Sequence, residues 1–245
     1  MILEALCEFR LKPSARQEWS PRLPTIILQK LGAKNFPGME PIKELGIEVN
    51  VDRRTHQTTQ RVVEGLPKIR YSNDDRTKLV QVAQNLFCYN VVRKYPGWPT
   101  MKRNIKSNWE KLSPILDPEL IERIGLRYIN RMPLMPGHGL ISDWLKPTRF
   151  LPRALIEAMP RSNGRIDVQV SDQDQIVVML SVQPEAESPS YRNIILDIDR
   201  IMYLERLPDI AELMSSVEKM HIDVWNIFDE ARTEFMVEYM NGWEA

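Results

Sequence analysis

Two acidic residues separated by one position offer the sharpest chemistry in the chain. Asp197 and Asp199 alternate with Leu196 and Ile198. In an extended segment the two carboxylates would share one side, about 7 Å apart. Oxygen ligands at that spacing suit Mg²⁺ or Ca²⁺. They also suit ion pairs with arginines on a neighbouring strand, and such arginines exist. In the stretch from Ile121 to Arg131, Ile124, Leu126 and Tyr128 fall on one side, while Arg123, Arg127 and Arg131 fall on the other. If the two segments are adjacent strands burying their apolar sides in one core, their charged sides must coincide. Ion pairing is therefore favoured over metal, and Arg127 is expected to meet Asp197 and Asp199. Arg123, Arg127, Arg131, Asp197 and Asp199 are the candidate binding residues.

The other candidates are thinner. His56, His138 and His221 have no helix- or strand-spaced partner that would make a ligand pair. His221 follows Met220 at the edge of an apolar helical stripe and reads as packed or exposed there, not catalytic. His138 lies in Pro136-Gly137-His138-Gly139, a loop of the kind that can carry function. Lys102, Arg103 and Lys106 with Trp98 and Trp109 form a basic, aromatic helix start that could meet nucleic acid. A solvated helix face with Trp109 in the core explains the same residues. Cys7 and Cys88 fall inside strand patterns and read as free buried thiols. The sequence has no Gly-x-Ser-x-Gly elbow, phosphate-binding glycine loop or HExxH helix. No catalytic set, metal or cofactor is expected.

The elements that must position these residues can be read from periodicity. Residues 2–11 alternate as a first strand, and Ser20-Pro21 opens a helix that stops at Gly32. Pro37-Gly38 and Pro41 mark a loop. Short strands at 47–52, 57–64, 68–72, 78–83 and 86–93 predict one antiparallel meander. A helix over 100–112 follows, ending before Ser113-Pro114. The order then begins again with the arginine-bearing strand at about 120–132. Short helices at 141–145 and 152–158, a hairpin of 165–171 with 175–183, and a strand at 193–203 come next. The spacing of Ile210, Leu213, Val217, Met220, Val224, Phe228, Ala231, Phe235 and Tyr239 predicts one helix from about 208 to 241. The expected fold class is α+β. Two pseudo-duplicated halves (1–116 and 117–245) of strand, helix, antiparallel strands and helix would share a curved antiparallel sheet, with the long C-terminal helix packed on it.

Composition narrows the function classes. The chain has 245 residues, with 33 Lys plus Arg balancing 33 Asp plus Glu, so no net charge. A dedicated nucleic-acid binder usually carries a basic excess, because phosphate neutralisation supplies much of its affinity. Near neutrality also permits association with itself or a protein partner. No apolar run approaches the roughly 20 residues that span a membrane. No basic-then-apolar leader pattern opens the chain, which reads as cytoplasmic.

Four stretches occur in one order: Ile2-Leu3-Glu4-Ala5-Leu6-Cys7-Glu8-Phe9-Arg10, Tyr95-Pro96-Gly97-Trp98, Gly125-Leu126-Arg127-Tyr128-Ile129-Asn130 and Leu196-Asp197-Ile198-Asp199. Together they resemble a sporadically distributed family of uncharacterised prokaryotic proteins of about this length. The Gly-Leu-Arg-Tyr-Ile-Asn strand is its most specific motif. The resemblance assigns no catalytic residue. The patchy distribution it implies is similar to that of mobile antiviral defence and toxin–antitoxin modules, an association and not a physical argument.

The expected function is a non-enzymatic protein-binding module: an adaptor, immunity or regulatory component of a multi-protein system. The alternative is a nucleic-acid-binding accessory that uses the sheet face bearing Arg123, Arg127 and Arg131. A hydrolase built on metal at Asp197 and Asp199 stands behind both.

Overall fold

The computed structural model describes residues 2–15, 19–42, 45–51, 58–64, 67–135, 137–157, 163–184 and 192–242, with the backbone alone for 45–51 and 58–64. His56 lies outside the described residues. The elements run β1 (Ile2–Pro13), α1 (Leu23–Leu31), β2 (Gly38–Ile42), β3 (Leu45–Val51), β4 (Thr58–Glu64), β5 (Lys68–Ser72), β6 (Lys78–Ala83), β7 (Leu86–Val92) and α2 (Trp98–Leu116). They continue with β8 (Pro118–Leu134), α3 (Ile141–Trp144), α4 (Arg153–Ile156), β9 (Gly164–Ser171), β10 (Asp174–Pro184), β11 (Arg192–Tyr203), α5 (Ile210–Ala231) and α6 (Glu234–Asn241). The protein is α+β, with an open sheet and helices packed on it.

Nine strands pair in the order β2-β5-β6-β7-β1-β8-β11-β10-β9. Every neighbouring pair is antiparallel. Alternation in the sequence becomes two unlike sheet faces. On one, Ala5, Cys7, Phe9 and Leu11 of β1 are buried beside Phe87, Tyr89, Ile124, Leu126, Leu196 and Ile198. The helices cover this face. Trp109 of α2 meets Phe9 and Phe87 edge-on, with centroids 5.1 and 5.4 Å away. Tyr71 of β5 donates to the Pro24 carbonyl of α1 at 3.0 Å. Leu213, Val217, Val224 and Phe228 of α5 are buried, as the helical stripe predicts. Residues from both ends of the chain join one core.

Five expectations are corrected. The first helix opens at Leu23, with Arg22 and not Ser20 at its N-cap and Pro24 in its first turn. The five early strands do not make a single meander, since β3 and β4 pair only with each other, apart from the large sheet. The stretch around Pro41 is a strand, not a loop. It sits at the sheet edge, where a residue without an N–H leaves no ladder bond unmade on its open side. Helix α2 runs through Ser113-Pro114 and ends where Asp117, with a left-handed φ of 37°, donates its N–H to the Ser113 carbonyl at 2.9 Å. The C-terminal helix is two helices. Arg232 is extended (φ −71°, ψ 139°), and Thr233 restarts the chain as the N-cap of α6, its Oγ1 accepting from the Met236 N–H at 3.2 Å.

Candidate functional site

The face of the sheet opposite the helices carries the charged residues that the alternation singles out. Arg127 stands opposite Asp199 in the β8–β11 register, and Arg123 stands opposite Tyr203. Asp197 is 7% exposed, and both of its oxygens are taken by Arg127, with Nε at 2.8 Å and Nη2 at 2.5 Å. Arg123 reaches the other way across β1 to Glu8, which Arg10 also holds at 2.7 Å. Arg131 lies further along the same face, half-buried and opposite Ile195. The five candidates therefore share one face, but Arg123 belongs with Glu8 and Arg10, not with the aspartates. A carboxylate already chelated by one guanidinium has few lone pairs for a divalent ion. Among the described residues, no group of three or more His, Cys, Asp or Glu is placed to hold one.

Gly125 opens a gap in this charged layer. A Cβ there would lie 3.8 Å from Asp199 Oδ1 and 3.9 Å from the Glu8 Cβ, so the glycine floors a cleft of about 270 Å³. Glu4, Glu8, Lys68, Arg123, Arg127 and Asp199 contribute to its lining. Burial pushes the Asp199 carboxyl up to about 6. Arg127 and Arg123 oppose that rise, while Asp197 and Glu8 add to it. The cleft thus holds both signs of charge in close alternation. Beneath it, the Cys88 thiol donates to Asn90 Oδ1 at 2.7 Å, and the Asn90 amide donates to Glu4 at 2.6 Å. Cys7 and Cys88 are free and buried, as their strand positions imply.

A second site lies under the helices, where β1 and β8 meet α2 and α5. Tyr128 of β8 points into the helix layer. Its hydroxyl is 3.0 Å from the Tyr95 hydroxyl and 3.2 Å from His221 Nδ1. Trp98, the first residue of α2, stacks on the His221 ring with centroids 4.0 Å apart. Its indole N–H donates to Glu218 at 3.0 Å, and Lys102 meets the same carboxylate at 2.6 Å. Gly97 makes the turn into α2 with a φ of 83°, a region open to glycine at little cost. These rings line a partly open apolar pocket of about 220 Å³ that Val224, Trp225, Phe228 and Met240 complete. Burial lowers the pKa of His221, although Glu218 opposes it. Burial also raises that of Tyr128, the Tyr95 hydroxyl adding to the effect.

Of the basic helix start, Arg103 reaches the Thr100 hydroxyl at 3.3 Å on the surface, and the other residues have these partners. Lys102 is spent on Glu218, Lys106 faces Glu110 at 3.9 Å, and Trp109 is in the core. His138 stacks on Phe235 at 3.6 Å, tying its loop to α6. Sequence reasoning missed the pocket, and the Tyr95-Pro96-Gly97-Trp98 turn was the available signal. It also missed Arg200, which is 1% exposed on the helix side and paired with Asp174 of β10 at 2.8 Å and Asp223 of α5 at 3.0 Å.

No protein-family model and no curated protein matches the chain. Among the described residues, no helix is long and apolar enough to cross a membrane.

Proposed function

We propose that the protein is a non-enzymatic binding module that docks a folded protein partner on the open face of its sheet. The observation that carries this reading is the pairing of charges there. Arg127 is closed by Asp197, and Arg123 by Glu8. A polyanion needs cations it does not have to share, because its affinity comes from neutralised phosphates. A folded protein offers both signs, and a mosaic of alternating pairs selects such a partner by register and repels mismatches. The size fits as well. Nine strands about 4.8 Å apart and roughly nine residues long on average present roughly 1,200 Å², enough for the roughly 800 Å² that one partner contributes to a stable interface.

We infer too that the sheet is a pseudo-duplication. In support, β1 pairs with β7 and β8 with β11, so each half closes its first strand on its last, and β1 and β8 join the halves antiparallel. In keeping with the family resemblance, the module is an adaptor, regulatory or immunity component of a multi-protein prokaryotic system.

A photo-crosslinking residue placed at Met179, which is 38% exposed on this face, tests the proposal in the native host. A discrete heavier protein adduct is expected from Met179 and none from Ile222 on the surface of α5. Adducts to nucleic acid alone, with heparin retention that falls steeply with salt, would replace this reading with the nucleic-acid alternative. No adduct at either position would remove both.

A further inference from the structure

The pocket beneath α2 and α5 lies on the opposite side of the sheet from the face proposed for docking and shares no lining residue with the cleft there. We propose that it takes a small, neutral, flat aromatic molecule of one or two rings bearing a hydrogen-bonding substituent.

Size sets the first limit. The cavity measures about 220 Å³. An engineered apolar cavity of about 150 Å³ admits benzene, so this one holds one ring with substituents or two fused rings. The lining sets the second limit. Tyr95, Trp98, Tyr128, His221, Trp225 and Phe228 supply rings on several sides, and among the described residues no Asp, Glu, Lys or Arg lines the cavity. Ring faces and edges arranged this way favour a flat aromatic guest over an aliphatic one. A charged guest would lose its hydration without gaining a counter-ion. Glu218 and Lys102 neutralise each other outside the lining, and neither lines the cavity itself.

The polar groups set the third limit. The Tyr95 hydroxyl, Tyr128 hydroxyl and His221 Nδ1 form a chain of two hydrogen bonds. Run in one direction, the chain leaves the Tyr95 oxygen able to accept. Run in the other, it leaves the Tyr95 hydroxyl able to donate. Reversing the chain costs no charge separation, so a phenol, an indole or a ring carbonyl can each be met. Apolar walls with a few convergent polar atoms are the usual form of a small-molecule site.

Isothermal titration calorimetry on the full chain with 2-naphthol, naphthalene and 2-naphthoate tests the proposal. One site is expected for 2-naphthol, with 2-naphthoate at least roughly tenfold weaker, because its charge must be desolvated. Tyr95→Phe keeps the ring and removes the hydroxyl at the free end of the chain. It should weaken 2-naphthol by roughly fivefold to tenfold, the weight of one hydrogen bond, and leave naphthalene within about twofold. Val224→Phe should fill the cavity and abolish binding of both. Trp225 is 46% exposed, so Trp225→Ala removes a wall with little risk to the fold and should weaken both. Absence of saturable 2-naphthol binding overturns the proposal. So does binding that Val224→Phe and Trp225→Ala both leave unchanged, or 2-naphthoate binding as tight as 2-naphthol.

Discussion

Arg127 faces Asp199 directly across the β8–β11 ladder, yet its guanidinium closes on Asp197, two residues earlier on β11. Twist brings diagonal neighbours on one face within reach of a long side chain. The buried Asp197 carboxylate gains both of the parallel donors that Arg127 can offer at that angle. Asp199 is left over Gly125 with charge near it but without the chelate.

Unequal treatment of the two aspartates makes them separable by mutation. Arg127→Ala leaves Asp197 buried without its partner and should destabilise by about 1–3 kcal/mol. A double-mutant cycle between Arg127→Ala and Asp197→Ala should return about 1–2 kcal/mol of coupling, and the same cycle with Asp199→Ala less than half of that. Equal couplings in urea denaturation would contradict the diagonal geometry.

Asp199 should make stability depend on pH in the opposite sense to an ordinary paired carboxylate. Its pKa rises from 3.8 to about 6 in the fold. Between those values the folded state holds a proton that the unfolded state has released, so stability falls as pH rises through this window. Above about pH 6 the cost is fully present and then constant. Asp199→Asn removes the titration and should raise stability at pH 7.5 by about 1–2 kcal/mol. The gain should shrink toward zero near pH 4. Thermal melts of both proteins from pH 4 to 8 check the trend, and a pH-independent difference would refute it.

That Arg127 shares a face with Asp197 and Asp199 was readable from parity, whereas its closing on Asp197 and not on both aspartates was not. Two strands that bury Leu126 and Tyr128, and Leu196 and Ile198, in one core must turn these charges to the same side. Parity also misleads. Arg200 falls on the buried parity of β11, and nothing nearby announces that Asp223, 23 positions on, will receive it. The aromatic pocket is hidden for a similar reason, since Tyr128 and His221 are 93 positions apart and meet only once α5 lies on β8. Strand β2 was obscured by Pro41, whose tolerance depends on being at an edge, a property of the assembled sheet. The break after α5 was obscured by a stripe whose apolar spacing continues from Phe228 and Ala231 to Phe235 and Tyr239. Thr233 before Glu234 was the one local sign of a new helix start.

Thr233 does more than cap. Its hydroxyl lies 2.7 Å from the Asp143 carbonyl and 3.1 Å from that of Trp144, while Oγ1 accepts from the Met236 N–H. The turn between α5 and α6 is thus pinned to the end of α3. Thr233→Val keeps the shape and removes both roles, and should cost about 1–2 kcal/mol. Hydrogen exchange should accelerate in α6 and around α3 while the central strands stay protected. Uniform acceleration across the sheet would show that the hydroxyl supports the whole fold and not this corner.

Arg200 offers the sharpest test of how the helix layer is held on the second half of the sheet. Its guanidinium is 1% exposed and joins three elements. It meets Asp223 of α5, Asp174 of β10 and the carbonyl of Ile201 at 2.8 Å. Arg200→Met retains most of the volume but removes the cation between Asp223 and Asp174, leaving Asp174 with the Ser171 hydroxyl alone, so the loss should reach about 3–5 kcal/mol. Asp223→Asn should cost far less, about 1 kcal/mol, because that side chain reaches solvent and its amide oxygen can still accept from Nε. Restoring charge alone with Arg200→Lys should recover under half of the loss, since one ammonium cannot serve three directions at these distances. Guanidinium denaturation of the three variants decides the matter. An Arg200→Met loss below about 1 kcal/mol would mean that the two aspartates are solvated readily and that burial, not the ion pairs, holds α5 against β11.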